Sequence, residues 1–312
     1  MSELILHHYA ASPFAEKIRA ILGYKGLSWR SVDIPMVMPK PDLTALTGGY
    51  RKTPVLQIGC DVYCDTTLIA RMLDELAPGR PVYRPEQAGV AIPAARWFDR
   101  HLFFAILPLM LEPAALAATE ATMGAETFAA FIRDRGPMMA AARVKPLAVG
   151  DARVLFDQTL RALDAQLAAA GSFLSGDVIG WVDFCAYHPL WMLRSNAVLA
   201  RELDAFAHVT RWMARIGALG HGEPQPLPAS EALGISRAST PRTRAAHTGP
   251  ALEGIAAGSL VEVAADDYAL EPSAGRLVSA TLDEIAIERS DERAGRLIVH
   301  FPRMGYRVKA SG

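Results

Sequence analysis

Cysteine is scarce in this chain: Cys60, Cys64 and Cys185 are the only three in 312 residues. An odd and small count excludes a disulfide-stapled scaffold and implies a reducing compartment, so the expected location is cytoplasmic. Cys60 and Cys64 stand four apart and no Cys-x-x-Cys pair occurs, which argues against dithiol redox chemistry. Charge of one sign is also lacking. With 32 basic and 33 acidic residues the net charge is −1, and a dedicated nucleic-acid surface is not expected. Long uncharged apolar runs are missing too. The nearest approach, Ala94 to Leu111, is broken by Arg96, Asp99, Arg100 and His101, short of the ~18 residues a membrane span needs. The first residues carry no basic stretch followed by an apolar core, so export is not expected. There is no Gly-x-Gly-x-x-Gly loop, His-Glu-x-x-His helix or Gly-x-Ser-x-Gly elbow, and no metal site is expected.

What the sequence does contain is concentrated near its start. Leu4-Ile5-Leu6 reads as a short buried strand, and Ser12-Pro13 reads as the N-cap and first residue of a helix running to about Gly26. Four free backbone N–H groups and the positive end of the helix dipole then point toward the Ser12 side chain and favour an anion there. Serine before a helix is also a common cap with no further role. Downstream, Thr53-Pro54-Val55-Leu56-Gln57-Ile58 reads as a proline-entered strand. Gly59-Cys60-Asp61 closes a hairpin to Val62-Tyr63-Cys64, and Asp65-Thr66-Thr67 caps a helix through Leu76.

This order of elements, with Ser-Pro-Phe at the first helix, resembles the thioredoxin-like N-terminal domain of glutathione S-transferases of the serine and cysteine type. The resemblance covers residues 1–80 and implies glutathione as co-substrate. It implies that Ser12 donates a hydrogen bond to the glutathione thiolate, with Phe14 beside it. It further implies a cis Thr53–Pro54 bond that exposes the Val55 backbone to the cysteinyl unit. Lys52 would lie near the glycyl carboxylate, and Asp65 with Thr66 would take the γ-glutamyl end. Asp65-Thr66 departs from the family's usual Glu-Ser, shortening the carboxylate by one methylene. Gly48-Gly49 stands where Asn-Pro is common.

Residues 77–88 are proline-rich and read as a linker; residues 89–222 then read as helical. The resemblance implies an all-α second domain and a homodimer. It also implies an electrophile pocket between the domains, lined by Trp97, Phe98, His101 and Phe104 from a helix over Ala94–Leu111, with Tyr9 and Phe14 opposite. Asp183, three residues after Gly180, is expected to be a structural helix cap in which glycine has replaced the usual hydroxyl.

Residues 220–228 and 236–250 read as an extended linker, and 251–312 as a small antiparallel β module of alternating runs separated by hairpin turns. A module of ~60 residues buries little surface alone, so it is expected to dock on the helical domain or on a partner subunit. The expectation is a stabilising appendage; the alternative is a cover over the cleft. The function implied is thiol activation of glutathione for attack on a small hydrophobic electrophile. A glutathione-dependent isomerase or dehalogenase, or a non-catalytic binding protein, are the alternatives.

Overall fold

A computed structural model describes residues 3–242, 252 and 254–311. The chain opens as β1 (Ile5–His8), α1 (Pro13–Lys25), β2 (Ser28–Asp33), α2 (Pro41–Thr47), β3 (Val55–Ile58), β4 (Asp61–Cys64) and α3 (Thr66–Leu76). β1 pairs parallel with β2 and antiparallel with β3, and β3 continues into β4 through the Gly59-Cys60 turn, where Gly59 takes φ +63°. α1 ends at Gly26 in the left-handed conformation (φ +63°), which gives a residue without Cβ the turn back into β2. The Thr53–Pro54 bond is cis, as the family resemblance implies. The architecture is the thioredoxin-like α/β domain followed by an all-α domain and extra antiparallel strands.

The helical part comprises α4 (Ala88–Trp97), a wide π-type turn (Phe98–Leu102), α5 (Phe103–Met110), α6 (Pro113–Met123) and α7 (Ala125–Ala140). It continues with α8 (Val149–Ala170), α9 (Trp181–Arg194) and α10 (Ala207–Gly217). The single helix read over Ala94–Leu111 lies within one continuous helical run from Ala88 to Met110 that widens into a π turn at Phe98–Leu102. Asp183 is fully buried, and its carboxylate accepts the N–H groups of Leu174 (2.8 Å), Gly180 (2.9 Å) and the Trp212 indole (2.9 Å). It ties the loop before α9 to α10, which is a structural role.

The remainder of the chain departs most from the sequence expectation. Within the stretch read as linker, Glu223–Pro226 form β5, which pairs parallel with β2, and positions 236–238 end α11 (Ala229–Ala238), while 243–250 lie outside the described residues. The strands β6 (Leu260–Ala265), β7 (Ser273–Ala280), β8 (Glu284–Asp291), β9 (Gly295–Pro302) and β10 (Tyr306–Ala310) then join the opposite edge of the same sheet. β9 runs parallel to β4, with Asp61, Val62 and Tyr63 opposite Ile298, Val299 and His300. One ten-stranded sheet results, in the order β10-β6-β7-β8-β9-β4-β3-β1-β2-β5. The module thus docks mainly on the N-terminal domain, where it covers the otherwise unpaired edge of β4.

Two apolar cores lie on the two faces of this sheet. One joins α1, α3 and the helical domain around Leu22, Phe156, Phe184 and Trp212; the other joins α2 and α11 to the added strands around Leu46, Leu233, Val299 and Phe301. At the seam the Gly48-Gly49 departure finds its reason. A Cβ on Gly49 would stand 2.6 Å from the Pro272 carbonyl oxygen, and one on Gly48 2.6 Å from Arg289 Nε. Both glycines also take positive φ, +76° and +139°.

Candidate active site

Ser12 caps α1 in extended conformation, its Oγ accepting the Ala15 N–H at 3.2 Å. That uses one oxygen lone pair and leaves the hydroxyl proton without an acceptor among the described residues. Arg19 reaches back along α1 and donates to the carbonyls of Tyr9 (3.3 Å) and Ala10 (2.8 Å), while Glu16 holds the guanidinium at 2.7 Å. This buried clamp fixes the loop that carries Ser12. Ser12 is itself only 2% exposed.

One turn farther on, Lys17 is fully buried and donates to both oxygens of Asp99, at 2.7 and 2.9 Å. His188 Nε2 donates to the same carboxylate at 2.8 Å. The Lys17 ammonium also sits 5.1 Å from the Phe14 ring centre and 4.8 Å from that of Trp181. Burial pushes the Asp99 carboxyl up, but the Lys17 charge and the His188 hydrogen bond outweigh it and hold Asp99 below the usual carboxylate range. Burial brings the His188 imidazole down to about 4, so it is neutral near pH 7. Asp99 stands in the π turn, a kind of helix defect common at functional sites.

Asp65 caps α3 with φ +75°, a left-handed conformation that costs a non-glycine residue about 1 kcal/mol or more. Its Oδ1 accepts the Thr67 N–H at 2.9 Å, which leaves Oδ2 turned to the cleft. Lys52, Thr53 and Pro54 arrive from the segment before β3, and Phe14 from α1. Together with Asp65, Thr66, Thr67 and Tyr50 they form the N-terminal wall. Arg96, Asp99 and Arg100 form the helical wall, and the turn Asp266–Tyr268, the turn Met304-Gly305 and Tyr306 at the start of β10 close the third side.

The structure therefore gathers Phe14, Lys52, Thr53, Pro54, Asp65 and Thr66 on one cleft, as the sequence pattern anticipates. It brings neither Ser12 nor Val55 to the lining, Ser12 being buried at the start of α1. Val55 is wholly buried in the interior strand β3, opposite His7 of β1 and Cys64 of β4, so the backbone at the cleft is that of Thr53. The aromatic residues also fall elsewhere. Positions 96, 99 and 100 share one helical face, which turns three charged groups to the cleft and rotates the aromatics away. Trp97 and His101 lie against each other with ring centres 5.9 Å apart and planes tilted by 30°, His101 being exposed. Phe98 lines a separate cleft of about 450 Å³ between α4 and α8. Phe104 is buried, its ring 5.6 Å from that of Tyr268. Tyr9 lies beyond the cleft, its hydroxyl 3.5 Å from Arg135 Nη2.

Lys40 escapes sequence reasoning altogether. It is 3% exposed, donates to Thr53 Oγ1 at 3.2 Å, and stands 5.4 Å from the Tyr9 ring. Burial, assisted by Arg135 and Arg51, brings its ammonium down to about 8. Nothing in a lone lysine ahead of a proline signals that burial.

Residues 6–81 match the family model described as glutathione S-transferase, N-terminal domain, and residues 114–215 the one described as glutathione S-transferase, C-terminal domain. A solved structure of a GST-like protein from Pseudomonas syringae is 38% identical, with all of both chains covered and a TM-score of 0.82. A glutathione transferase from Phanerochaete chrysosporium shares the fold at 18% identity and a TM-score of 0.55, covering 70% of this chain and 98% of its own. A beta-etherase from Sphingobium sp. does so at 15% and 0.50, covering 70% of this chain and 96% of its own. Comparison with curated proteins returns no match.

Proposed function

The chain belongs to the glutathione S-transferase family, and from that premise we propose that it holds glutathione in this cleft and activates its thiol for attack on a small hydrophobic electrophile. The observation that carries the reading is the convergence of Lys52, Thr53, Asp65 and Thr66, from separate segments, on one cleft beside the N-terminus of α1. Lys52 takes the glycyl carboxylate as a point charge. The Thr53 backbone aligns the cysteinyl unit like an added strand. Asp65 takes the γ-glutamyl ammonium, and Thr66 with the N–H groups that open α3 takes its carboxylate.

Ser12 then acts as a donor. Its hydroxyl proton, which no described residue accepts, turns to the sulfur when glutathione is bound, the helix N-terminus adds field, and the thiol gives its proton to solvent. The thiolate forms a carbon–sulfur bond to the electrophile while the leaving group departs with its electron pair. Serine is neither acylated nor deprotonated. Removing one preorganised donor of this kind costs on the order of 10²-fold in turnover.

The test is calorimetric titration of reduced glutathione into the wild type and Asp65→Ala, followed by conjugation assays on the wild type and Ser12→Ala. Binding that weakens strongly in Asp65→Ala, with turnover that collapses in Ser12→Ala, supports the reading. Binding to the wild type that is unchanged in Asp65→Ala, or turnover that is unchanged in Ser12→Ala, overturns it.

A further inference from the structure

The groups that would grip glutathione are already engaged, and by the same chain. Lys52 Nζ is 2.6 Å from Asp267 Oδ1, both side chains being less than one-fifth exposed, and the ammonium also sits 4.2 Å from the Tyr268 ring centre. The Tyr306 hydroxyl is 3.1 Å from Asp65 Oδ2. Burial pushes the Tyr306 phenol well above its usual value, so it is the donor in that contact. The space left in the cleft is about 100 Å³, against the ~300 Å³ or more typical of sites that enclose a small organic ligand.

We propose that the C-terminal strands carry a built-in stopper for the glutathione cleft. Asp267 occupies Lys52 in place of the glycyl carboxylate, and Tyr306 occupies Asp65 in place of the γ-glutamyl ammonium. The proposal rests on the reading of the cleft as a glutathione site. Glutathione enters when the two turns withdraw, and the enzyme alternates between a self-occupied and an open form.

The two turns are built to move as one. The Asp266 N–H donates to the Gly305 carbonyl at 3.0 Å, joining the turn after β6 to the turn between β9 and β10. They are held against the cleft from the helical side by Arg100 on Asp266 at 3.2 Å and by the Arg143 N–H on the Asp267 carbonyl at 2.7 Å. Ala269, directly after the stopper, takes φ +50° without being glycine, a conformation that persists when surrounding contacts impose it. The strands behind these turns are anchored independently of the cleft, through β9 on β4 and through Arg289 on the Ala45 carbonyl. The stopper can therefore retract without the module leaving the sheet.

The experiment compares glutathione titrations of the full-length wild type, Asp267→Ala, Tyr306→Phe and the double variant, with thermal melting to establish that each is folded. The expected result is binding at least fivefold tighter in each single variant and tighter still in the double. Binding detected in the wild type but unchanged or weaker in the double variant overturns the stopper and leaves the glutathione reading standing. No binding by the wild type or by the folded double variant overturns both. If the double variant does not fold, hydrogen exchange on the wild type decides. Saturating glutathione is expected to speed exchange at 266–268 and 304–306, and unchanged or slower exchange there overturns the proposal.

Discussion

Asp99→Ala is the substitution with the most exposed consequences, because it strands a lysine. The Lys17 side chain has no solvent contact, and Asp99 supplies both of its carboxylate hydrogen bonds. Removing one partner of a buried pair costs about 3–5 kcal/mol, since the remaining charge is left uncompensated. The rings of Phe14 and Trp181 retain part of their attraction for the ammonium, about 1–2 kcal/mol in a desolvated setting, which favours the lower end of that range. A loss of about 3 kcal/mol in urea unfolding at pH 7 is therefore expected. The loss should also shrink as pH rises. Burial by itself lowers the Lys17 pKa, and Asp99 is the main opposing influence. Without it the native state sheds that proton before the unfolded chain does, so ΔG of unfolding climbs toward alkaline pH. Lys17→Met combined with Asp99→Leu, which removes both charges, should recover part of that loss and keep the cost of the unpaired His188 N–H, about 1–3 kcal/mol. An Asp99→Ala cost below about 1 kcal/mol, or a double variant no better than the single, would refute the reasoning.

Acid should weaken the fold through three histidines. His7, His8 and His188 are each brought down to about 4, first of all by burial, so the unfolded chain binds protons between pH 6.5 and 4 that the native state refuses. Each contributes a loss of about 2 kcal/mol by pH 5, and urea midpoints that hold steady from pH 7 to 5 would contradict this. His300 works in the opposite sense. Its two ring nitrogens donate to Glu284 (2.8 Å) and Asp61 (2.9 Å), and these hydrogen bonds raise its pKa against burial. Its contribution is present below pH ~6.5 and lost as pH rises through the elevated native value. The stability gap between wild type and His300→Phe should accordingly narrow from pH 6 to pH 9. Gly180→Ser should stabilise by about 0.3 kcal/mol by restoring the missing cap hydroxyl, because φ is −137° and the nearest obstacle is the movable Gln87 amide at 3.3 Å. An unchanged or lower melting temperature would refute that placement.

Local chemistry made the N-terminal half legible. The Ser12-Pro13 cap, the proline before β3, the Gly59-Cys60 turn and the Asp65 cap are short-range signals, and each falls where its residues place it. The helical domain was legible as helices, but the π turn was not. A five-residue widening leaves no composition mark, and the resemblance that assigned Trp97 and Phe104 to the cleft did not fix which face of this helix turns to it; Arg96, Asp99 and Arg100 stand there instead. The strands of the C-terminal module could be read from their alternation; their destination on β4 could not, because pairing across more than 200 residues leaves no local trace. Gly48-Gly49 held part of that information as an unexplained departure, to which Pro272 and Arg289 give meaning beside the positive φ of both glycines. The extended reading of residues 220–228 was half right: Glu223–Pro226 is extended, as an edge strand with two prolines.

The central claim is that Ser12 at the start of α1 stabilises a glutathione thiolate. The most direct measurement is the ultraviolet absorbance of the thiolate in the glutathione complex, titrated with pH for the wild type and Ser12→Ala. The account predicts a bound thiol in the wild type ionising well below its free value of about 8.5, and one that moves back toward that value in Ser12→Ala. Bound glutathione that titrates as it does in free solution, or identically in both proteins, would contradict it.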